Sequence, residues 1–187
     1  RSNLTDIKNY QRDDDDKFFS YNFNQSLSNW NTQKVKTMSG MFSQSAGDYK
    51  RDKSGNITSD EFIEYTYNFK GNGIENWNVS NVGNMSNMFE NHYEFNKNLS
   101  KWNTSSVVDM NSMFRYCRKF NQNLNTKIIK FNPDDKKEDY IAWDVSNVTN
   151  MSNIFDMCES FNNDIGYWNT SKVENMSYMF SNNTEFN

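Results

Sequence analysis

The chain has 187 residues, a formal net charge of −4 and an isoelectric point of about 5.1, which sets it against nucleic acid or an anionic membrane surface as a partner. Apolar residues make up 35% and mean hydropathy is −1.01, values that lean towards disorder, yet aromatics reach 16% and recur at fixed places. One histidine and two cysteines do not close a zinc site, and no nucleophile elbow surrounds His92.

Residues 1–17 form an N-terminal polar segment without repeats. Its four aspartates at 13–16, followed by Lys17, match an enteropeptidase target and read as a polar cap or solvated loop. With no initiator Met, no apolar signal segment and no lipobox cysteine, the chain reads as an excerpt or mature fragment of a longer protein. No apolar run is long enough to span a bilayer.

From residue 18 to 187 the chain repeats itself. All five tryptophans open one template, Trp-(Asn/Asp)-(Thr/Val)-x-x-Val-x-x-Met-(Ser/Asn)-x-(Met/Ile)-Phe, at 30–42, 77–89, 102–114, 143–155 and 168–180. Trp77 and Trp102 are 25 residues apart, as are Trp143 and Trp168. The gaps from Trp30 to Trp77 and from Trp102 to Trp143 are 47 and 41 residues, one period plus an insertion each. A Phe-Asn pair and an aliphatic complete the unit: Phe23-Asn24 with Leu27, Phe95-Asn96 with Leu99, Phe120-Asn121 with Leu124, and Phe161-Asn162 with Ile165. The copy before Trp77 is looser, with Phe69, a Gly-rich stretch and Ile74.

A unit of this length cannot bury its own apolar face, but stacked copies can. The spacing of Val107, Met110, Met113 and Phe114 predicts one side of a short helix or 3₁₀ turn, with Phe120, Leu124 and Trp102 on a strand side. The expected fold is an α+β repeat solenoid forming one domain over 18–187. It holds about five coils of 25 residues, each a short strand plus a short helix or 3₁₀ turn, with insertions at 43–68 and 125–142. The Met-Phe stripe reads as core, since methionine fills irregular gaps. About one residue in six is asparagine, a residue that tolerates left-handed backbone, bonds its own main chain in turns and forms ladders along a stack.

Within the first insertion, residues 50–61 resemble the calcium loop of an EF-hand. Gly55 holds the turn position and Ile57 the apolar one, with Asp52, Ser54 and Glu61 at the third, fifth and twelfth ligand positions. Lys50 puts a positive charge where the first carboxylate belongs, so calcium is a weak expectation. The competing one is a polar turn leading into a short helix over 59–68. The second insertion reads as a β-hairpin: a strand over 127–131, a turn around Pro133, and a return at Tyr140, Ile141 and Ala142. It serves either specific contacts or plain edge decoration. Cys117 and Cys158 each lie three residues after the unit's Phe, at the same place in adjacent units. Parallel side chains there favour two buried free thiols over a disulfide.

The template resembles that of the BspA-like leucine-rich-repeat surface proteins of bacteria. It is most similar to their mycoplasma-type variant, whose units read like Phe-Asn-x-Asp-(Ile/Leu)-Ser-x-Trp-(Asn/Asp)-(Thr/Val)-Ser-Asn-Val-Thr-Asn-Met-Ser-x-Met-Phe. The likeness covers roughly residues 18–187. It implies a leucine-rich-repeat-like solenoid on the cell surface, often part of a lipoprotein or wall-attached protein and anchored through regions outside this chain. It implies association with adhesion and carries over no catalytic residue.

The residues point to no enzyme: there is no phosphate loop and no dinucleotide fingerprint. The first functional expectation is a monomeric binding module within a longer surface protein, engaging a host or partner protein or glycan. Its contact face is the polar row between the aliphatic and the Trp: Ser28, Asn29, Glu75, Asn76, Ser100, Lys101, Gly166 and Tyr167, with Tyr167 as the aromatic anchor. The alternative is a structural spacer or antigenic coat segment with no specific ligand. Ice binding is a third and weaker expectation, because the two insertions break a flat array.

Overall fold

The structure, a computed structural model, describes residues 20–21, 25–44, 47–51, 57–64, 66–67, 69–130 and 139–187. Asparagine and aspartate set its local geometry. After each Trp, the side chain of Asn31, Asn78, Asn103, Asp144 or Asn169 accepts the N–H two residues on, at 3.0–3.2 Å. Before each template Met, Thr37, Asn84, Asp109, Asn150 and Asn175 do the same. Asn98, Asn123 and Asp164 repeat it around the aliphatic. These side-chain turns supply the bonds that a helix or strand would otherwise give the backbone.

The helical segment expected over 107–114 is a run of turns. The variable residue of Met-(Ser/Asn)-x-(Met/Ile)-Phe has positive φ in every unit: Gly40 at 61°, Asn87 at 55°, Ser112 at 54°, Asn153 at 56° and Tyr178 at 57°. A second left-handed residue follows the Phe by two places, at Asn91, Tyr116, Met157 and Asn182. Left-handed residues at this spacing cannot sit inside a right-handed helix. The chain closes short turns instead, such as Met88 N–H to the Met85 carbonyl at 3.3 Å and His92 N–H to Phe89 at 3.2 Å. Among the described residues the one helical element is a 3₁₀ turn, Ile74–Asn76, and no helix is long and apolar enough to cross a membrane.

The backbone groups released by this geometry bond the next unit. Met38, Gly40, Phe42 and Gln44 donate to the carbonyls of Asn84, Ser86, Met88 and Glu90 at 2.8–3.3 Å. Met85, Asn87, Phe89 and Asn91 donate to Asp109, Asn111, Met113 and Arg115. The same four positions, starting at Met110 and at Met151, repeat the pattern. Parallel bridges join Thr37, Asn84, Asp109, Asn150 and Asn175 in sequence, giving a ladder one residue wide across five units. The strand side had been expected around Phe120, Leu124 and Trp102; the parallel pairing lies between the template Val and Met instead. The molecule is thus a repeat protein whose units lie side by side.

Rings fill the space between the turns. Within a unit the two phenylalanines stack at 4.1–4.2 Å between centroids, as in Phe89–Phe95, Phe114–Phe120 and Phe155–Phe161. Between units the columns continue through Phe42, Phe89, Phe114, Phe155 and Phe180 at 5.7–5.9 Å. Val82, Met85, Met88, Val107, Met110 and Met113 are completely buried beside them, as the Met-Phe stripe predicts. Each later tryptophan donates its indole N–H to the aliphatic carbonyl of the preceding unit: Trp77 to Leu27, Trp102 to Ile74, Trp143 to Leu99 and Trp168 to Leu124, at 2.8–3.0 Å. A buried indole needs such a partner. An asparagine ladder runs alongside, with the Asn121 and Asn162 N–H groups donating to Asn96 Oδ1 at 3.0 Å and Asn121 Oδ1 at 3.1 Å.

The first insertion differs from expectation. Its strands β2 (Gly47–Arg51) and β3 (Ile57–Glu64) pair antiparallel, so the segment predicted to be a helix over 59–68 is extended backbone. A short strand β4 (Thr66–Tyr67) then pairs parallel with β1 (Ser20–Tyr21), bringing two successive units together across the insertion. The β-branched pair Ile57-Thr58 and the aromatic-aliphatic pair Phe62-Ile63 suit extended backbone, which the pairing with β2 fixes against the helix reading. The second insertion is the predicted hairpin, β5 (Lys127–Ile129) and β6 (Tyr140–Ala142), paired antiparallel with Ile128 opposite Ile141. Pro133 lies outside the described residues.

Gly73 shows how tightly the looser copy is seated. Its φ is 92°, and a Cβ there would fall 2.4 Å from Ser28 N and 2.6 Å from Ser28 Cα. Both are backbone atoms, so Gly73→Ala must push units apart. The expected loss is about 2–3 kcal/mol in a denaturant titration; a loss under about 0.5 kcal/mol would mean that the Ser28 turn yields freely.

Candidate interaction surface

The polar row sits along one edge of the stack, in turns and not on strands. Ser28 and Asn29 are exposed in one turn, and Ser28 shares a 3.0 Å hydroxyl contact with Ser26. Glu75 and Asn76 lie in the 3₁₀ turn. The Glu75 carboxylate accepts the Gly73 N–H at 3.0 Å and pairs with Lys97 at 3.5 Å. Ser100 is half-buried and donates its N–H to Asn98 at 2.9 Å, while Lys101 beside it is exposed. Tyr167 is 75% exposed, its N–H bonded to Asn125 Oδ1 at 3.2 Å.

The hairpin rises from this row between Lys101 and Tyr167. On one side the Tyr140 hydroxyl donates to the Lys101 carbonyl at 2.5 Å; on the other, Asn125 holds Tyr167. Ile129, Tyr140 and Ala142 pack towards the core, whereas the cross-strand pair Ile128 and Ile141 faces outwards, 66% and 45% exposed. The structure therefore brings Lys101, the outer isoleucines and Tyr167 to one edge and leaves Ser28, Asn29, Glu75 and Asn76 further along it. The isoleucines were missing from the expected face. Their signal was in the sequence: Ile128-Ile129 is an unbroken apolar pair in a hairpin that alternation would make half polar.

A second row was also missed. The bridge residues and the residues before them, Lys36 with Thr37, Gly83 with Asn84, Val108 with Asp109, Thr149 with Asn150 and Glu174 with Asn175, lie between the Val and Met of each template, both of which are buried in the three middle units. Val108 is 46% exposed there. Two residues set between a template Val and Met mark an edge turned once to solvent, and the template has that spacing in all five copies.

The calcium reading meets a different framework. Asp52 and Ser54 lie outside the described residues, and Glu61 lies on β3, whose backbone pairs with β2. An EF-hand holds its loop between two helices; here strands flank it.

The position three residues after the template Phe is a donor slot. His92 Nε2–H donates to the Phe42 carbonyl, Cys117 Sγ to the Phe89 carbonyl at 3.1 Å, and Cys158 Sγ to the Phe114 carbonyl at 3.0 Å. Each ties its unit to the preceding one. Both cysteines are buried and free, and burial pushes both thiols well above their ordinary range. Protonated thiols are poor nucleophiles, so these act as small apolar donors. Burial lowers His92 from 6.5 to about 4, against the opposing pull of the Phe42 carbonyl, so the ring is neutral at pH 7.

Stacked units, an inter-unit ladder and recurring donor slots define a repeat protein built of one template used five times. The family described as Mycoplasma protein of unknown function, DUF285, matches three times, at residues 9–58, 56–135 and 129–187. The chain belongs to that family. No curated protein and no solved structure matches it.

Proposed function

We propose that this chain is a surface-displayed binding module, a leucine-rich-repeat-like solenoid of the BspA-like type, that presents an extended polar edge to a host or partner protein or glycan. In this reading it is a monomeric part of a longer extracellular protein, lipoprotein or wall-attached. The observation that supports it is Tyr167, an aromatic side chain 75% exposed on an ordered turn beside the hairpin. Tyrosine on a rigid platform offers large contact area at small entropic cost.

A spacer is the second reading. It is favoured by the asparagine side chains of the ladder, which spend their oxygens on their own turns. The test is binding of the purified chain to immobilised matrix proteins and a glycan panel, in calcium and then in EDTA. Saturable binding that weakens about tenfold or more on Tyr167→Ala or Lys101→Ala is the expected result. Loss in EDTA alone would move the site to the loop around Asp52, Ser54 and Glu61. A folded chain that binds nothing on the panel would overturn the module in favour of the spacer.

A further inference from the structure

We propose that the outer edge of β5 is a docking strand for an extended, acidic and apolar segment of a partner protein, which adds to the hairpin as a third strand. The inference rests on the binding-module reading and names the partner's chemistry. β5 spends one edge on β6, through the pairs Lys127 with Ala142, Ile128 with Ile141 and Ile129 with Tyr140. Among the described residues, its other edge makes no backbone hydrogen bond. That edge lies on the Tyr167 side, because Asn125 just before β5 holds the Tyr167 N–H, while β6 runs on to Trp143, whose N–H donates to Trp102.

An unpaired edge is a template for another strand. A two-stranded hairpin is marginal by itself and gains from a third strand over an apolar face. The solvent face here is apolar, with Ile128 opposite Ile141 and both exposed. Charge then selects the occupant. Lys127 and Lys130, both exposed, bracket Ile128 and Ile129 of β5 itself. The β5 of a second copy would set lysines against lysines, which destabilises a cross-strand pair, whereas glutamate or aspartate opposite them stabilises it. So the edge repels its own kind and fits an acidic strand with apolar residues at alternate places.

The test uses fluorescence anisotropy with three short labelled peptides: alternating valine and glutamate, alternating valine and lysine, and the glutamate peptide with proline at its centre. The expected result is saturable binding of the glutamate peptide alone. The affinity should fall about tenfold or more on Lys127→Glu with Lys130→Glu, and also on Ile128→Asp, while tryptophan fluorescence confirms an intact stack. Equal binding of the lysine peptide, or of the proline peptide, would overturn the strand. Binding to mixed phosphatidylcholine and phosphatidylserine vesicles that is lost in the same variants would assign the edge to a lipid surface and overturn the proposal. No peptide binding by a chain that still binds the matrix or glycan panel sinks this inference and leaves the module standing; failure on both sinks both.

Discussion

Trp102→Ala should cost about 3–5 kcal/mol in a denaturant titration. The side chain is 1% exposed, tilted against Phe89 at 6.2 Å, and its indole N–H bonds the Ile74 carbonyl at 3.0 Å. Truncation removes a large buried ring and one of the two hydrogen bonds on the Ile74 carbonyl, which keeps the Trp77 N–H at 3.0 Å, so the lost ring carries most of the cost. Trp30 serves as the internal control. It occupies the same template position but is 44% exposed, stacked on Trp77 at 6.0 Å, and Trp30→Ala should cost less than about 2 kcal/mol. If Trp102→Ala cost under about 1 kcal/mol, the stacking register would be wrong.

The second large effect is acid lability through His92. The ring is 3% exposed and its pKa is lowered to about 4 in the folded chain, against 6.5 in the unfolded one. Between those values the unfolded state binds the extra proton, so stability is fully present above about pH 6.5 and is lost as pH falls to about 4. The span is worth about 3 kcal/mol. Carboxylates titrate nearby, so the readout is a difference. His92→Cys places in this slot the side chain that neighbouring units already use, and it should flatten the pH dependence of stability between about pH 4 and 6.5 relative to the parent. Parallel pH profiles for the two proteins would show that His92 does not carry it.

Much of the stack was legible because the sequence writes it five times. Trp, Val, Met and Phe recur at core positions, and the structure buries Trp102, Val107, Met110, Met113 and Phe114 as expected. The asparagines were legible for the same reason: a residue that bonds its own main chain, repeated at turn positions, makes turns. The helix was misread because a 3, 3, 1 spacing of apolar residues fits a helix and equally fits consecutive turns. What separates them is the backbone sign of the residue between, and Ser112 or Tyr178 gives no warning of positive φ where Gly40 does. The insertions carry single-copy information: over 57–64 four polar residues separate Ile57 from Phe62, so no period marked the strand and a helix was expected over 59–68. The outward isoleucines of the hairpin were missed because a polar row was sought where an apolar pair stood.

The ladder pairs Thr37 with Asn84 and Asp109 with Asn150 across the two insertions as it pairs Asn84 with Asp109 and Asn150 with Asn175 without them. Its register is therefore indifferent to how far the chain wanders between rungs. Closing a longer excursion costs only about 0.6 kcal/mol per doubling of its length, little beside the rings and hydrogen bonds of one rung. A scaffold of this kind separates two kinds of inheritance: the rungs must be copied faithfully, whereas the excursions can be lengthened, exchanged or rewritten while the frame stays in step.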